Sequence, residues 1–178
     1  MQSIEEFYLL KDTQNISIYL KVQQIASVNH YTNEYIIVDK ETLDCVVVDT
    51  AFDGANIYNW IKKEQYNLKA VLISHGHADH VGGLSELLKI CDVPVYITEK
   101  DKEGLYNGIY SEEDKVGFLQ EKISSKYYKN ILHLENGDVI DISNNLKFKV
   151  LFTPGHTQGS ASFTLCTEKI IFVRRYSI

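Results

Sequence analysis

The sequence predicts a mixed α/β domain in which sheets pack inside helical layers. Short apolar runs that read as strands are joined by hairpin-length links. Between them stand stretches whose apolar residues recur at helical spacing. The length, 178 residues, suits one domain with a core of ordinary size.

Alternating apolar residues place a first strand at Ile16–Val22, then two more at Tyr35–Asp39 and Cys45–Asp49. The link Lys40-Glu41-Thr42-Leu43 between the last two is short enough for a hairpin. Asp53-Gly54 opens a helix running to about Tyr66, with Ile57, Trp60 and Ile61 as its buried stripe. Lys69–Ile73 is a short apolar strand that leads into Ser74-His75-Gly76-His77-Ala78-Asp79-His80. A helix at Leu84–Ile90 buries Leu84, Leu87 and Leu88, a strand follows at Pro94–Thr98, and Glu99–Tyr106 reads as helix. Ser111–Tyr128 is polar and weakly patterned, an insertion over the sheet. Strands resume at Val139–Ile142 and Leu146–Phe152, the turn Thr153-Pro154-Gly155-His156-Thr157 intervenes, and strands Ser160–Leu165 and Lys169–Val173 close the sequence.

Composition excludes several classes. Lys and Arg number 18 against 24 Asp and Glu, for a net charge of −6. This balance and the scattered lysines speak against nucleic acid as a partner. No apolar run approaches the ~20 residues of a membrane helix. Met1-Gln2-Ser3-Ile4-Glu5-Glu6 carries neither a basic nor an apolar leader region, so a cytoplasmic location is expected. The cysteines, Cys45, Cys91 and Cys166, are odd in number and widely spaced, which reads as buried, reduced thiols.

Chemistry concentrates in the histidines. Three of the six lie between Ser74 and His80. A chance His-x-His-x-Asp-His in a chain of this composition would arise in roughly four of ten thousand such sequences. Side chains at i and i+2 of an extended segment point the same way, so His75 and His77 can converge on one cation. Gly76 and Ala78 between them leave room for a close-packed site. Asp79 and His80 follow as the chain turns and can face a second point. His156, held in a Pro154-Gly155 turn, is the obvious third ligand of a three-histidine site with an open position for water. Such a site lowers the pKa of bound water toward ~7, so hydrolysis is the favoured chemistry. The ligand set suits one or two Zn²⁺ ions, with Fe or Mn as alternatives.

The segments Ile73–Gly83 (ISHGHADHVGG) and Thr153–Ser160 (TPGHTQGS) resemble the metallo-β-lactamase-fold hydrolases, and within them the small glyoxalase II-like (hydroxyacylglutathione hydrolase-like) proteins. The likeness extends from about Asn33 to Val173. It implies an αββα sandwich with metals at one edge of the sheets. It also implies that His75, His77 and His156 bind a first metal, and that Asp79 and His80 bind a second. Asp49 matches a position that supports the family's site from behind the metals; a strand-end turn aspartate is an equally good reading of it. The implied reaction is thioester or ester hydrolysis of a small molecule by a metal-bound hydroxide, with Asp79 orienting the water and taking its proton.

The end of the sequence departs from the family pattern. After His156 the family has a Gly-Asp pair whose aspartate bridges the metals, and then one more histidine. Here Lys169–Val173 runs into Arg174-Arg175-Tyr176-Ser177-Ile178, and the only later acid is Glu168. The expectation is a single domain over 1–178 truncated after the strand 169–173, its second half incomplete, with activity in doubt. A shift of the reading frame by one nucleotide near Val173 would account for this ending, because codons permitted for Arg174–Ile178 read Gly-Asp-Thr-Leu in the next frame. The alternatives are a degenerate, non-catalytic product that keeps the scaffold and at most one metal, or another metalloenzyme of this fold, such as a persulfide dioxygenase or lactonase. A β-lactamase proper is disfavoured by the missing leader. His30 and Tyr31 read as loop residues, His133 as a satisfied surface histidine, and Tyr106 and Tyr110 as weak candidates near the substrate.

Overall fold

A computed structural model describes residues 20–26, 32–52, 54–107, 122–168 and 170–172. His30, Tyr31, Tyr110, most of the expected insertion, Val173 and the Arg174–Ile178 ending lie outside the described residues. So do the first residues of the expected opening strand.

The first sheet has six strands in sequence order: β1 (Leu20–Ala26), β2 (Asn33–Asp39), β3 (Asp44–Val48), β4 (Asn67–Leu72), β5 (Val95–Thr98) and β6 (Ile131–Leu134). The β1–β2 and β2–β3 pairs are antiparallel, and β3 through β6 run parallel. The parallel crossovers need intervening helices. These are α1 (Gly54–Lys63), then the short α2 (Ala78–Val81) with α3 (Leu84–Ile90), and then α4 (Glu103–Asn107). A second sheet of four antiparallel strands has β7 (Val139–Asp141), β8 (Lys147–Phe152), β9 (Ala161–Leu165) and β10 (Ile170–Phe172) in the order β10-β9-β8-β7.

Strand alternation divides the core in two. Ile36, Val38, Val47, Val71 and Ile97 point to one face, where Ile57 and Ile61 of α1 and Leu84, Leu87 and Leu88 of α3 cover them. Ile37, Val46, Val48 and Leu72 point to the other face and meet Phe148, Val150, Phe163 and Leu165 of the second sheet. The expected stripes of both helices are thus in place, although Trp60 is only half-buried and stacks on Tyr66 at 5.8 Å. The cluster between the sheets draws on no helical residue, so the described layers are helix, sheet and sheet. The outer helical layer implied for an αββα sandwich has no counterpart over the second sheet among the described residues. Val139 and Ile171 on that face stand 58% and 47% exposed.

Two strands extend the sequence reading. The opening strand is Leu20–Ala26, where register with β2, from Leu20 opposite Asp39 to Ala26 opposite Asn33, sets its position. Polar Gln23 and Gln24 obscure it in the sequence. Within and beyond the expected insertion, a 3₁₀ turn at Ser125–Asn130 leads into β6, whose two middle residues are exposed. The cysteines are free, but only Cys45 is buried. Cys91 is half-buried beyond α3, and Cys166 is exposed in the turn after β9. Among the described residues no helix is long and apolar enough to cross a membrane.

The two sheets are also joined by a buried carboxylate. Asp39 accepts hydrogen bonds from the Glu41 amide at 2.9 Å and the Thr42 amide at 3.4 Å within the β2–β3 hairpin. From the β7–β8 turn it accepts Ser143 Oγ at 3.0 Å and Asn145 Nδ2 at 3.2 Å. Burial pushes this carboxyl up, but the donors outweigh it and hold it below the usual carboxylate range. A depressed folded-state value means stability that is present above the unfolded value of about 3.9 and lost as pH falls through the folded one. Asp39→Ala should therefore lose about 1–3 kcal/mol near neutral pH. In urea unfolding, its difference from the parent should shrink below about pH 4.

Candidate metal centre

All of the candidate ligands sit where strands end at one edge of the two sheets. The loop after β4 leaves the first sheet through a hydrogen bond from Ile73 N to Tyr96 O at 2.8 Å. It touches the second sheet where Ala161 N donates to Ser74 O at 2.8 Å. His77 is extended (φ −73°, ψ 149°) and caps α2, and its carbonyl accepts His80 N at 2.9 Å. That single turn carries Asp79 and His80. His156 arrives from the loop after β8, which Thr153 N closes onto Ser160 O at 2.8 Å.

The five expected residues fall into two groups that share His75. His75, His77 and His156 form one, and His75, Asp79 and His80 the other; within each, the donor atoms lie within 4.8 Å of one another. The sequence reading gave His75 to the first point only, whereas the structure sets it between both. Its ring is 4.8 Å from those of His77 and His156 and 4.0 Å from that of His80. His75 and His80 are buried, while His77, Asp79 and His156 are half-buried, so the cluster opens to solvent on one side.

Hydrogen bonding behind the cluster fixes which nitrogens face it. Asp49, at the end of β3, accepts Ser74 N at 2.8 Å through Oδ1, and Ser74 Oγ at 2.7 Å through Oδ2. A serine hydroxyl has one proton, so Ser74 Oγ can only accept from His75 Nδ1, 3.0 Å away. His75 Nε2 is then left as a lone-pair donor. Asp49 Oδ2 also accepts His80 Nδ1 at 2.7 Å, which turns His80 Nε2 toward Asp79 Oδ2 at 3.4 Å. Thr32 Oγ1 donates to that same Asp79 oxygen at 3.1 Å. Burial pushes the His80 imidazole down, but Asp49 and then Asp79 outweigh it, and its pKa rises to about 9. A cation taken up at Nε2 must therefore displace a proton. Asp49 itself lies at φ +60°, a left-handed conformation that aspartate tolerates better than most residues. Asp49 is thus both a residue at the end of a strand and an acceptor for Ser74 and His80.

The donor set fits a divalent cation. Zinc–imidazole bonds of about 2.0–2.1 Å place two ligating nitrogens ~3.3 Å apart in a tetrahedral site. His77 Nδ1 and His156 Nε2 are 2.7 Å apart, so loading would spread them by a few tenths of an ångström. The buried carboxylate behind the imidazoles is the arrangement that orients metal-binding histidines. Of the other candidates, His133 pairs with Glu99 at 2.6 Å on the surface, as a satisfied histidine should. Tyr106 packs in a tilted contact on Tyr128, with ring centroids 4.4 Å apart. Ser74, Thr32 and the buried Asp101 were missed by sequence reasoning. Only Ser74, beside His75, carried any local signal.

The chain matches the model of the metallo-beta-lactamase superfamily over residues 30–173. It belongs to that superfamily. Among its relatives is a hydroxyacylglutathione hydrolase of Vibrio cholerae, 31% identical over 141 residues, or 79% of this chain and 46% of the relative. A Bacillus subtilis protein described as a probable metallo-hydrolase is 28% identical over 131 residues, covering 74% of this chain and 59% of its own length. The chain thus spans about half the length of the curated relatives it matches. In structure it is similar to the B3 metallo-beta-lactamase BLEG-1, with a TM-score of 0.71 and 25% identity over 84% of this chain and 69% of that one.

Proposed function

We propose that this chain carries the site of a metal-dependent hydrolase acting on a thioester or ester of a small molecule. One observation supports the reading above others: three imidazoles from two separate loops converge beside a fourth imidazole and a carboxylate. His75, His77 and His156 would hold a first cation, zinc by preference, and His80 and Asp79 would face a second point beside His75. A cation held there would polarise the scissile carbonyl and bring the pKa of water toward ~7.

The chain's own residues do the rest. Asp49 keeps a proton on His80 Nδ1, and through Ser74 on His75 Nδ1, so both rings present Nε2 to the cluster. Asp79 is half-buried at the open side, oriented by the Thr32 hydroxyl. Its carboxylate would orient an attacking water and take the proton that water gives up. Thioester substrates are favoured by the glyoxalase II-like motifs and by the hydroxyacylglutathione hydrolase relative.

Thiol release from a hydroxyacyl thioester of glutathione, with an aryl ester and a β-lactam alongside, tests the reading. Turnover of the thioester should appear with added Zn²⁺, Mn²⁺ or Fe²⁺ and vanish on chelation. A metal-loaded chain that hydrolyses neither thioester nor ester would overturn it, and preference for the β-lactam would reassign the substrate.

A further inference from the structure

One carboxylate outside the histidine cluster ties together both histidine-bearing loops. Asp101 ends the 3₁₀ turn Glu99–Asp101 after β5 and is only 8% exposed. Its Oδ2 accepts Gly76 N at 3.0 Å and Thr157 Oγ1 at 2.6 Å, and its Oδ1 accepts Gly159 N at 2.9 Å. Gly76 lies between His75 and His77; Thr157 adjoins His156. The two loops are far apart in sequence, yet one side chain sets their spacing.

The surroundings are built for this contact. A Cβ on Gly76 would land on the Asp101 carbonyl oxygen, and one on Gly159 would land on Asp101 Oδ1 and Thr98 Oγ1. Thr98 Oγ1 in turn donates to Gly159 O at 2.6 Å. Thr157 Oγ1 also meets Ser160 Oγ at 2.7 Å, so the second loop is held at its middle and its end. Among the described residues, the Asp101 carboxylate meets three donors, two backbone amides and one hydroxyl. It therefore acts as a geometric clamp and stands outside both candidate ligand groups.

We propose that Asp101 is a positioning residue that holds the His77 and His156 nitrogens near their ligating separation before a cation arrives. The role rests on reading His75, His77 and His156 as metal donors. Without the clamp, three polar groups must find water, and the loops must be ordered at the moment of binding, which weakens it. Supporting contacts of this kind are typically worth about 10–100-fold in metal affinity.

The test uses the full chain and the isosteric Asp101→Asn, whose amide group turns one accepting oxygen into a donor facing other donors. Two readouts are compared with the parent: amide hydrogen exchange at Gly76 and Gly159, and Co²⁺ affinity by chelator competition with the visible cobalt spectrum. Exchange at these two glycines should quicken while β3 and β4 stay protected. Cobalt affinity should fall about 10–100-fold with an altered spectrum. Thr157→Val removes only the hydroxyl link and should give the same pattern with a smaller loss; it carries the comparison if Asp101→Asn does not fold. Parental exchange with parental affinity overturns the proposal. Exchange that also quickens across β3 and β4 overturns it too, because the role is then merely structural. A parent that takes up no cobalt overturns the donor reading itself.

Discussion

His156→Ala should remove most of the response of the protein to zinc while leaving the fold intact. His156 stands half-buried on the loop after β8, outside both core clusters. Removing its ring should change the stability of the metal-stripped chain by no more than about 0.5 kcal/mol. Removing a direct donor should cost more affinity than losing a supporting contact, hence more than about 100-fold. At a zinc concentration ~100 times the parent's dissociation constant, binding stabilises the parent by about 2.7 kcal/mol. A 100-fold weaker site leaves ~0.4 kcal/mol at that same concentration. For a chain of this size, the melting temperature of the parent should rise by about 5–11 °C on zinc addition. That of the variant should rise by no more than ~2 °C. Equal shifts in differential scanning calorimetry would remove His156 from the site.

The second large effect falls on stability. Asp49 accepts from Ser74 N, Ser74 Oγ and His80 Nδ1, all buried. Asp49→Ala strips three donors of their acceptor and leaves a buried, readily protonated imidazole with only the half-buried Asp79 as counter-charge. Breaking a buried pair from one side costs about 3–5 kcal/mol, or ~6–20 °C in melting temperature for a chain of this length. Asp49→Asn keeps one accepting oxygen and tolerates the φ of +60°, so its loss should be smaller. The order parent, Asn, Ala in a thermal melt follows from the geometry. An Ala variant within ~2 °C of the parent would mean that Asp49 does not organise the histidines.

The candidate site was legible in its first loop because the signal there is local, and in the second because His156 stands in a Pro-Gly turn. His75 and His77 share a face of one extended segment, and Asp79 and His80 follow within a single turn. The fold was legible where alternation is clean, as in Ile36-Ile37-Val38, whose residues divide between the helical face and the second sheet. It was not legible where tertiary pairing overrode the pattern. The pairing of β1 with β2 carries the opening strand beyond Val22, across polar Gln23 and Gln24. Leu132 and Leu134 flank His133 in a strand-like stretch, but four residues with an exposed middle carry too little alternation to assign β6 among the strands. The supporting carboxylates mark the other limit. Asp101 lies 25 residues from Gly76 and 58 from Gly159, and no short window of sequence brings it to the histidines.

The central claim is that His75, His77 and His156 together bind a divalent cation. Zinc titration of the chelator-stripped chain by calorimetry tests it most directly. The account predicts saturable binding of at least one ion per chain. A stripped, folded chain that shows no saturable zinc binding would contradict it.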